Sequence, residues 1–342
     1  MIDLIYKNVE LHNVAELSYT KDSEGVNLLR FPQDVIDVLK DRSSFVSRTS
    51  TGCEVRFVSD ARHLWVTMGA YVRDVHLTVF CGDIVYKKIT IEQGKKSTFQ
   101  LDANVPFSGL AEGVLEKYRQ RFSHNVWRIY VDDEMSHCVF YDVTALDGFV
   151  RPPQKSEVPQ KKWLAYGSSI THGAITCDTS ISYIQHAARN LFVDVLGKGM
   201  SGSCFCEKEM ANYFAREEWD FATLEIGANM YQSFKNKDFK KRAQYLIQTL
   251  HEEKPDNLII VITPYPTISS LGNNQDLVSK RNDFVKILEE LVENIHSDNV
   301  IIVSGNEIMD SISYLSADLV HPSEYGHVRM GENLADILKN LI

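Results

Sequence analysis

A serine, an aspartate and a histidine occupy positions at which they could form a catalytic triad. Ser169 lies in the stretch "WLAYGSSITHGA", directly after an apolar run, and Asp318 and His321 lie in "ADLVHPSEYGH" near the end of the chain. Acyl transfer needs an activated hydroxyl, a base that takes its proton and a group that orients the base. Ser169 can supply the hydroxyl and His321 the base. The spacing Asp318-x-x-His321 lets the carboxylate reach the ring nitrogen that faces away from the serine, which fixes the tautomer and stabilises the imidazolium.

Two further positions can supply hydrogen-bond donors for the oxyanion that acyl transfer creates. Gly202 follows the apolar run "FVDVLGKGM", and Asn229 follows "FATLEIGA". The backbone N–H groups of Ser169 and Gly202 and the side-chain amide of Asn229 would give three donors. Each position alone has a simpler explanation, because Ser is common at helix N-caps and Gly and Asn are common in turns. Together the positions fit one reaction.

Three further residues are candidates for supporting the catalytic side chains or for contacting the substrate. Ser168 directly precedes Ser169 and is either a turn residue or a local hydrogen-bond partner. His172 follows in the first turn of the expected helix, where it either faces the substrate or caps and packs the helix. Glu225 stands inside an apolar run, where a buried carboxylate needs partners. It either braces the turn that carries Ser169 or forms a salt bridge to a covering helix.

The second half of the chain predicts a sheet that would bring these positions to one edge. Apolar runs alternate with helical patterns, as in "NLIIVITPYP" followed by "DLVSKRNDFVKILEELVENIH". Continuous apolar strands that alternate with helices indicate a parallel sheet covered on both faces, which is a three-layer α/β/α arrangement. Sites in such sheets lie just beyond the carboxyl ends of the strands, where the candidate residues fall.

The first half has a different pattern and predicts an antiparallel β-sandwich. Runs such as "HLWVTMGA" and "NVWRIYVDD" are short, rich in β-branched and aromatic residues, and separated by turn signals. A helix-like stretch at 108–121 would be an insertion between strands. The segment "RPPQKSEVPQKK" is typical of an extended connector. We therefore predict an accessory domain over 1–150, a linker over 151–162 and a catalytic domain over 163–342.

The ordered set of motifs resembles the SGNH hydrolases, also called GDSL esterases. That family has a Ser in a Gly-Asp-Ser-Leu/Ile element, a Gly, an Asn in a Gly-x-Asn element and a final Asp-x-x-His. The corresponding residues here occur in the family's order: Ser169 in "GSSI", Gly202 in "GMSGS", Asn229 in "GANM", and Asp318 with His321 in "DLVHP". The resemblance covers roughly residues 160–342. It implies the flavodoxin-like three-layer fold and the triad and oxyanion roles given above.

One position departs from the family pattern. The Asp that precedes the family's nucleophile is Ser168 here, so two serines compete for the role. The family's spacing places the nucleophile directly before Ile, which selects Ser169. The stretches "YGSSITHG" and "LEIGANM" are similar to the corresponding stretches of two-domain members of the family that carry an N-terminal, jelly-roll-like β-sandwich. Several of these members act on acylated sugars.

Composition and charge exclude several classes of function. The 342 residues are 44% hydrophobic and 24% charged, which is ordinary for a globular protein. A net charge of −10 argues against nucleic acid as the main partner, because phosphate binding needs a basic patch. No run reaches the roughly 18 apolar residues of a membrane span, and no secretory signal is recognisable at the N-terminus. We expect a cytoplasmic protein with no membrane partner, and a homo-oligomer by analogy with proteins of this shape.

No cofactor or metal is expected. No glycine-rich nucleotide motif opens a helix, and the six cysteines lack the spacing of a zinc site.

The predicted function is a serine esterase that works through an acyl-enzyme. Its expected substrates are short-chain acyl esters, acetyl above all, of a carbohydrate or another small molecule. No long apolar lid segment accompanies the motifs, which disfavours a lipase for long chains. Two alternatives stay open: a thioesterase or lysophospholipase with the same machinery, and a non-catalytic binding protein on the same fold.

Overall fold

A computed structural model describes residues 4–102, 107, 109–111, 113–118 and 120–342. The chain divides into two compact units. The first contains the described residues up to Ile36, then Ser47–Gln160 and Phe192–Asp194. The second contains Asp37–Val46, Lys161–Leu191 and Val195–Ile342. A short segment from the first half of the sequence thus clusters with the unit that carries the candidate residues.

The first unit is built from short strands. In chain order they are β1 Leu4–Tyr6, β2 Val9–His12, β3 Ser18–Tyr19, β4 Val26–Asn27, β5 Glu54–Ser59, β6 His63–Ala70, β7 Val75–Cys81, β8 Ile84–Ile91, β9 Lys96–Asp102, β10 Val126–Val131, β11 Cys138–Ala145 and β12 Val150–Arg151. One sheet has the order β1-β2-β5-β10-β7-β8 with β12 beside β5, and the other has the order β3-β4-β11-β6-β9. The adjacent strands of each sheet pair antiparallel, as in β5 with β10 and β6 with β11.

The core of this unit lies between its two sheets. Buried side chains come from both, for example Val55 and Ile129 from one sheet and Val66 and Phe140 from the other. From His63 to Met68 in β6 the exposed or partly exposed and the buried side chains alternate, because successive strand residues point to opposite faces. The predicted antiparallel β-sandwich is confirmed.

Short helices within the described residues of the first half are α1 Gln33–Val38, α2 Asp41–Ser47 and α3 Val114–Lys117. Helix α3 is all that the structure describes of the helix predicted at 108–121, and residues 108, 112 and 119 of that stretch lie outside the described residues. Most of α2 belongs to the second unit.

The second unit alternates strands with helices. Its strands are β13 Lys162–Gly167, β14 Asp194–Gly199, β15 Phe221–Glu225, β16 Leu258–Ile262 and β17 Val300–Val303. Its helices are α4 Ser169–His172, α5 Tyr183–Leu191, α6 Lys208–Arg216, α7 Asn236–Glu253, α8 Ile268–Leu271, α9 Gln275–Glu293, α10 Gly305–Ile308 and α11 Glu324–Leu338. The sheet order is β14-β13-β15-β16-β17, and β13, β15, β16 and β17 pair in parallel.

This sheet is covered by two sets of helices. Helix α5 packs on α11, while α6 packs on α7 and α7 on α9. Every residue of β15 is buried, as a strand between two helical layers requires. The predicted three-layer α/β/α fold with flavodoxin-like strand order is confirmed.

The strand order fixes where a site can form. The chain steps from β13 to β14 on one side and then to β15 on the other, so the direction of winding reverses at β13. In open α/β sheets the crevice at this reversal, outside the carboxyl ends of the strands, is the usual ligand site. Ser168 and Ser169 follow the carboxyl end of β13.

None of the helices in the described part of the chain combines the length and the hydropathy that a membrane span requires.

Candidate active site

The turn after β13 presents the candidate nucleophile. Ser168 caps the one-turn helix α4, and its Oγ accepts a hydrogen bond of 3.3 Å from Ile170 N–H. Ser169 is therefore the first residue of the helix, where its own N–H has no partner within the helix. Gly173 ends the helix in the left-handed conformation with φ of 89°. The two serines thus have different geometries: one caps the helix and the other begins it.

Ser169, His321 and Asp318 form a continuous hydrogen-bonded line. Ser169 Oγ lies 2.8 Å from His321 Nε2, and His321 Nδ1 lies 2.7 Å from Asp318 Oδ2. Because a carboxylate only accepts hydrogen bonds, Nδ1 carries the proton in this contact and Nε2 is left to accept from the serine. This is the arrangement that a general base needs.

Asp318 is held by several donors at once. Its Oδ1 accepts from the backbone N–H groups of Val320 at 2.8 Å and His321 at 2.9 Å, and from Ser316 Oγ at 2.9 Å. Burial alone would raise the pKa of Asp318, but the hydrogen bonds, led by that of the His321 side chain, hold this pKa well below its ordinary value. The carboxylate therefore stays ionised at neutral pH and keeps the imidazole in one orientation.

Three residues that carry hydrogen-bond donors line one pocket. Ser169, Gly202 and Asn229 line one pocket, and in the described part of the chain the N–H groups of Ser169 and Gly202 donate to no acceptor. Asn229 follows β15 in a short turn, and its Oδ1 accepts from Cys204 N–H at 3.1 Å. That contact orients the amide and leaves its NH₂ group for the pocket. The arrangement can stabilise a developing negative charge on an oxygen.

The pocket has a volume of about 380 Å³. Three aromatic residues, Phe205, Tyr231 and Tyr265, line it together with the polar residues Gln232, Ser233, Thr267 and Ser269 and the apolar residues Ile268, Leu277 and Val320. Sequence patterns did not single these residues out, because no motif marks them: most stand in connecting segments, and Ile268, Ser269 and Leu277 lie at the starts of α8 and α9. Their position after strands of the parallel sheet was the one available signal.

Glu225, the last residue of β15, contacts the nucleophile turn. Its Oε2 accepts from Ser168 N–H at 2.7 Å and from Thr171 Oγ1 at 3.2 Å, and Thr171 Oγ1 also lies 2.7 Å from Tyr183 OH. No Lys, Arg or His of the described chain pairs with it, and Oε1 is buried without a hydrogen-bond partner there. Burial raises the pKa of Glu225 to about 7, although the bonds from Ser168 and Thr171 oppose the shift. Of its two expected roles, the contacts are those of a brace for the turn.

A close approach explains the glycine that precedes the two serines. A Cβ at Gly167 would lie 2.2 Å from Thr171 Oγ1 and 2.7 Å from Glu225 Oε2. Any side chain there would push the carboxylate away from the turn. Gly167, Glu225 and the nucleophile turn are therefore fitted to one another.

His172 lies away from the pocket. It is 3% exposed, and its backbone packs so closely on Gly199 that a Cβ there would lie 2.4 Å from the His172 Cα. It is not among the residues that line the pocket. Ser168, by contrast, lines the pocket as well as capping α4. In the part of the chain that the structure describes, no group of three or more His, Cys, Asp or Glu side chains is arranged to hold a metal ion.

Comparison with known proteins gives the family. A model of the GDSL-like lipase/acylhydrolase family matches residues 160–339. The chain belongs to this family. The resemblance drawn from the motifs is thereby confirmed. A curated relative, the multidomain esterase of Ruminococcus flavefaciens, is 27% identical over 124 residues, which are 35% of this chain and 16% of that protein. The chain thus corresponds to a minor part of that relative.

Solved structures share the fold of this chain over nearly its whole length. The salicylyl-acyltransferase SsfX3 from a tetracycline biosynthetic pathway has a TM-score of 0.79 and 15% identity, covering 100% of this chain and 97% of its own. A GDSL-like lipase structure from Bacteroides ovatus, described as putative, has a TM-score of 0.71 and 16% identity, covering 97% and 95%. A family two carbohydrate esterase from Cellvibrio japonicus has a TM-score of 0.65 and 14% identity, covering 98% and 95%. At such identities the likeness concerns the fold.

Proposed function

We propose that this protein is a serine esterase that removes short acyl groups, acetyl above all, from a carbohydrate or another small hydroxylated molecule. One observation carries the proposal: the line from Ser169 through His321 to Asp318 ends at a pocket that also holds donors with no acceptor among the described residues. A bound ester whose carbonyl oxygen met those donors would present its carbonyl carbon to Ser169 Oγ.

The reaction follows from the geometry. His321 Nε2 takes the proton of Ser169 Oγ as that oxygen attacks the carbonyl carbon. The oxyanion accepts from the N–H groups of Ser169 and Gly202 and from the Asn229 amide. His321 then gives its proton to the leaving alcohol, and an acyl-serine remains. Water, deprotonated by His321, hydrolyses the acyl-serine and restores the enzyme.

The lining of the pocket supports a hydroxyl-rich substrate. Hydroxyl and amide side chains at Gln232, Ser233, Thr267 and Ser269 stand beside aromatic side chains, and such convergent polar groups fix the orientation of a polar ligand. The similar structure from Cellvibrio japonicus is a carbohydrate esterase, which agrees with this proposal. A substrate with a long hydrocarbon chain would leave these polar groups without partners.

The experiment is a chain-length series of p-nitrophenyl esters from acetate to palmitate, run beside an acetylated xylo-oligosaccharide and an acyl-CoA. We expect the highest kcat/KM on acetate and release of acetate from the sugar. Rates that increase towards long chains would favour the thioesterase or lysophospholipase alternative.

A fluorophosphonate probe tests the catalytic serine. We expect labelling of the native protein, no labelling of Ser169→Ala, and labelling of the matched control Ser168→Ala, because Ser168 Oγ caps α4 and does not face His321. Labelling that persists in Ser169→Ala would transfer the role to the other serine. A native protein that neither reacts with the probe nor hydrolyses any ester would favour the binding-protein alternative.

Three further expectations remain predictions. Fractionation of cells tests the cytoplasmic location, light scattering tests the homo-oligomer, and separate expression tests the accessory role of residues 1–150 with a linker over 151–162.

A further inference from the structure

A cationic side chain from the first half of the sequence holds the turn that carries Gly202. Arg42, in α2, donates from Nε to the carbonyl oxygen of Ser201 at 2.7 Å. Both residues belong to the second unit. We propose that Arg42 is a positioning residue that sets the Gly202 N–H as an oxyanion donor. This inference rests on the proposed esterase function.

The contact acts on one peptide group. The Ser201 carbonyl and the Gly202 N–H belong to the same planar trans peptide, so they point in opposite directions. A donor that holds the carbonyl on one side therefore directs the N–H to the other side. Gly202 lines the pocket, and its N–H has no acceptor among the described residues.

A flip of one peptide group in this turn would remove the donor from the pocket. Residues 200–203 form a turn closed by Ser203 N–H donating to Met200 O at 3.0 Å. Gly202 has φ of 65°, whereas Ser201 is not among the residues with positive φ. This is the pattern of a type II turn, which differs from type I by a flip of the central peptide. Here the central peptide joins Ser201 to Gly202, so a flip would turn the N–H away from the pocket.

Arg42 also explains why position 202 is a glycine beyond its positive φ. A Cβ at Gly202 would lie 2.5 Å from Arg42 Nε and 3.1 Å from its Cζ. The guanidinium thus fills the space beside the turn and stabilises the conformation that exposes the N–H. Its positive charge on the carbonyl side further polarises the amide, which strengthens the N–H as a donor.

Two variants separate the donor from the charge. Arg42→Met keeps the length of the side chain and removes the donor. Arg42→Gln places a neutral amide nitrogen at the chain position of Nε. Lys40→Met, which removes an exposed cation from the same segment, is the matched control. Thermal melts of all variants establish that they fold.

We expect Arg42→Met to lower kcat about 10-fold on p-nitrophenyl acetate while KM stays within about twofold, because the donor acts on the transition state. The ceiling is the roughly 10²–10³-fold loss that follows complete removal of an oxyanion donor. Arg42→Gln should recover most of the rate, and Lys40→Met should match the wild type. An unchanged kcat in Arg42→Met, or a change in KM alone, would overturn the inference.

A second measurement does not depend on activity. Selective isotopic labelling of the 18 glycines lets the Gly202 amide resonance be followed by NMR in the wild type, Arg42→Met and Lys40→Met. We expect a shift of this resonance in Arg42→Met only. A shift in a protein that hydrolyses no ester would reject the proposed function and keep the positioning contact, whereas no shift would reject the contact itself.

Discussion

The buried carboxylate of Glu225 makes a quantitative prediction about stability and pH. Burial raises its pKa from 4.5 to about 7 in the folded protein. Between these values the folded state binds a proton that the unfolded state has lost, so the free energy of unfolding falls as the pH rises. At about 1.4 kcal/mol per pKa unit, the full effect is about 3 kcal/mol, complete above pH 7. Glu225→Gln has no charge to bury, and its amide oxygen can still accept from Ser168 and Thr171.

The assay is urea unfolding of the wild type and Glu225→Gln at about pH 5 and about pH 8. The variant should be close to the wild type at the lower pH and more stable, by up to about 3 kcal/mol, at the higher pH. Glu289→Gln, the same substitution at an exposed position, is the matched control.

The wild type has to be compared with Glu225→Gln, because a second buried group, His327, has the opposite effect on the pH dependence of the free energy of unfolding. Burial lowers the pKa of His327 from 6.5 to about 4, which makes the free energy of unfolding rise with pH between these two values, a range that overlaps that of Glu225. The wild-type curve therefore contains two opposing slopes. If wild type and Glu225→Gln lose or gain stability in parallel across this range, the carboxylate is not buried in the way described.

Three further predictions concern the catalytic machinery. Asn229→Ala should lower kcat roughly 10²–10³-fold with little change in KM, because the amide would act on the oxyanion; steady-state kinetics on p-nitrophenyl acetate check this, and a change confined to KM would contradict it. Asp318→Asn should lower kcat by up to about 10⁴-fold, because an amide can stabilise the wrong imidazole tautomer; a pH–rate profile that keeps the wild-type height would exclude the proposed role. A truncated protein that begins at residue 161 should lose at least the roughly 10-fold in kcat that is expected for Arg42→Met, because it lacks Asp37–Val46 and thus Arg42; a fully active fragment with a cooperative melt would show that this segment is dispensable.

The sequence predicted two kinds of strand, each from its own pattern of apolar residues. Alternation in "HLWVTMGA" predicted a half-buried strand, and β6 has that pattern of burial. Continuous apolar runs predicted the strands of the parallel sheet, and β15 is buried throughout. Both succeeded because side-chain period and burial are local properties of a strand. Of the helix expected at 108–121, the structure describes one turn, Val114–Lys117, while residues 108, 112 and 119 lie outside the described residues.

Some residues of the candidate site could be predicted from the sequence, and others could not. Ser169, Asp318 and His321 could be named from their residue types, their order and their places after apolar runs, and they remain proposals for catalysis. The pocket lining could not be named, because Tyr231, Tyr265 and Thr267 stand in loops whose paths depend on the packing of the helices around them. Glu225 was visible as an anomaly in an apolar strand, but its partners at Ser168 and Thr171 lie 57 and 54 residues away.

The sequence by itself determined the two kinds of sheet, the edge at which polar residues would gather and the chemistry that their types allow. These follow from rules with a short range: the period of a strand, the reach of one helical turn, the position of a residue after an apolar run. Only the tertiary structure decided which groups support that chemistry. Arg42 and Ser201 are 159 residues apart, and no periodicity or spacing connects them. Their contact exists because α2 packs beside the turn after β14, and the folding of the whole chain fixes that position.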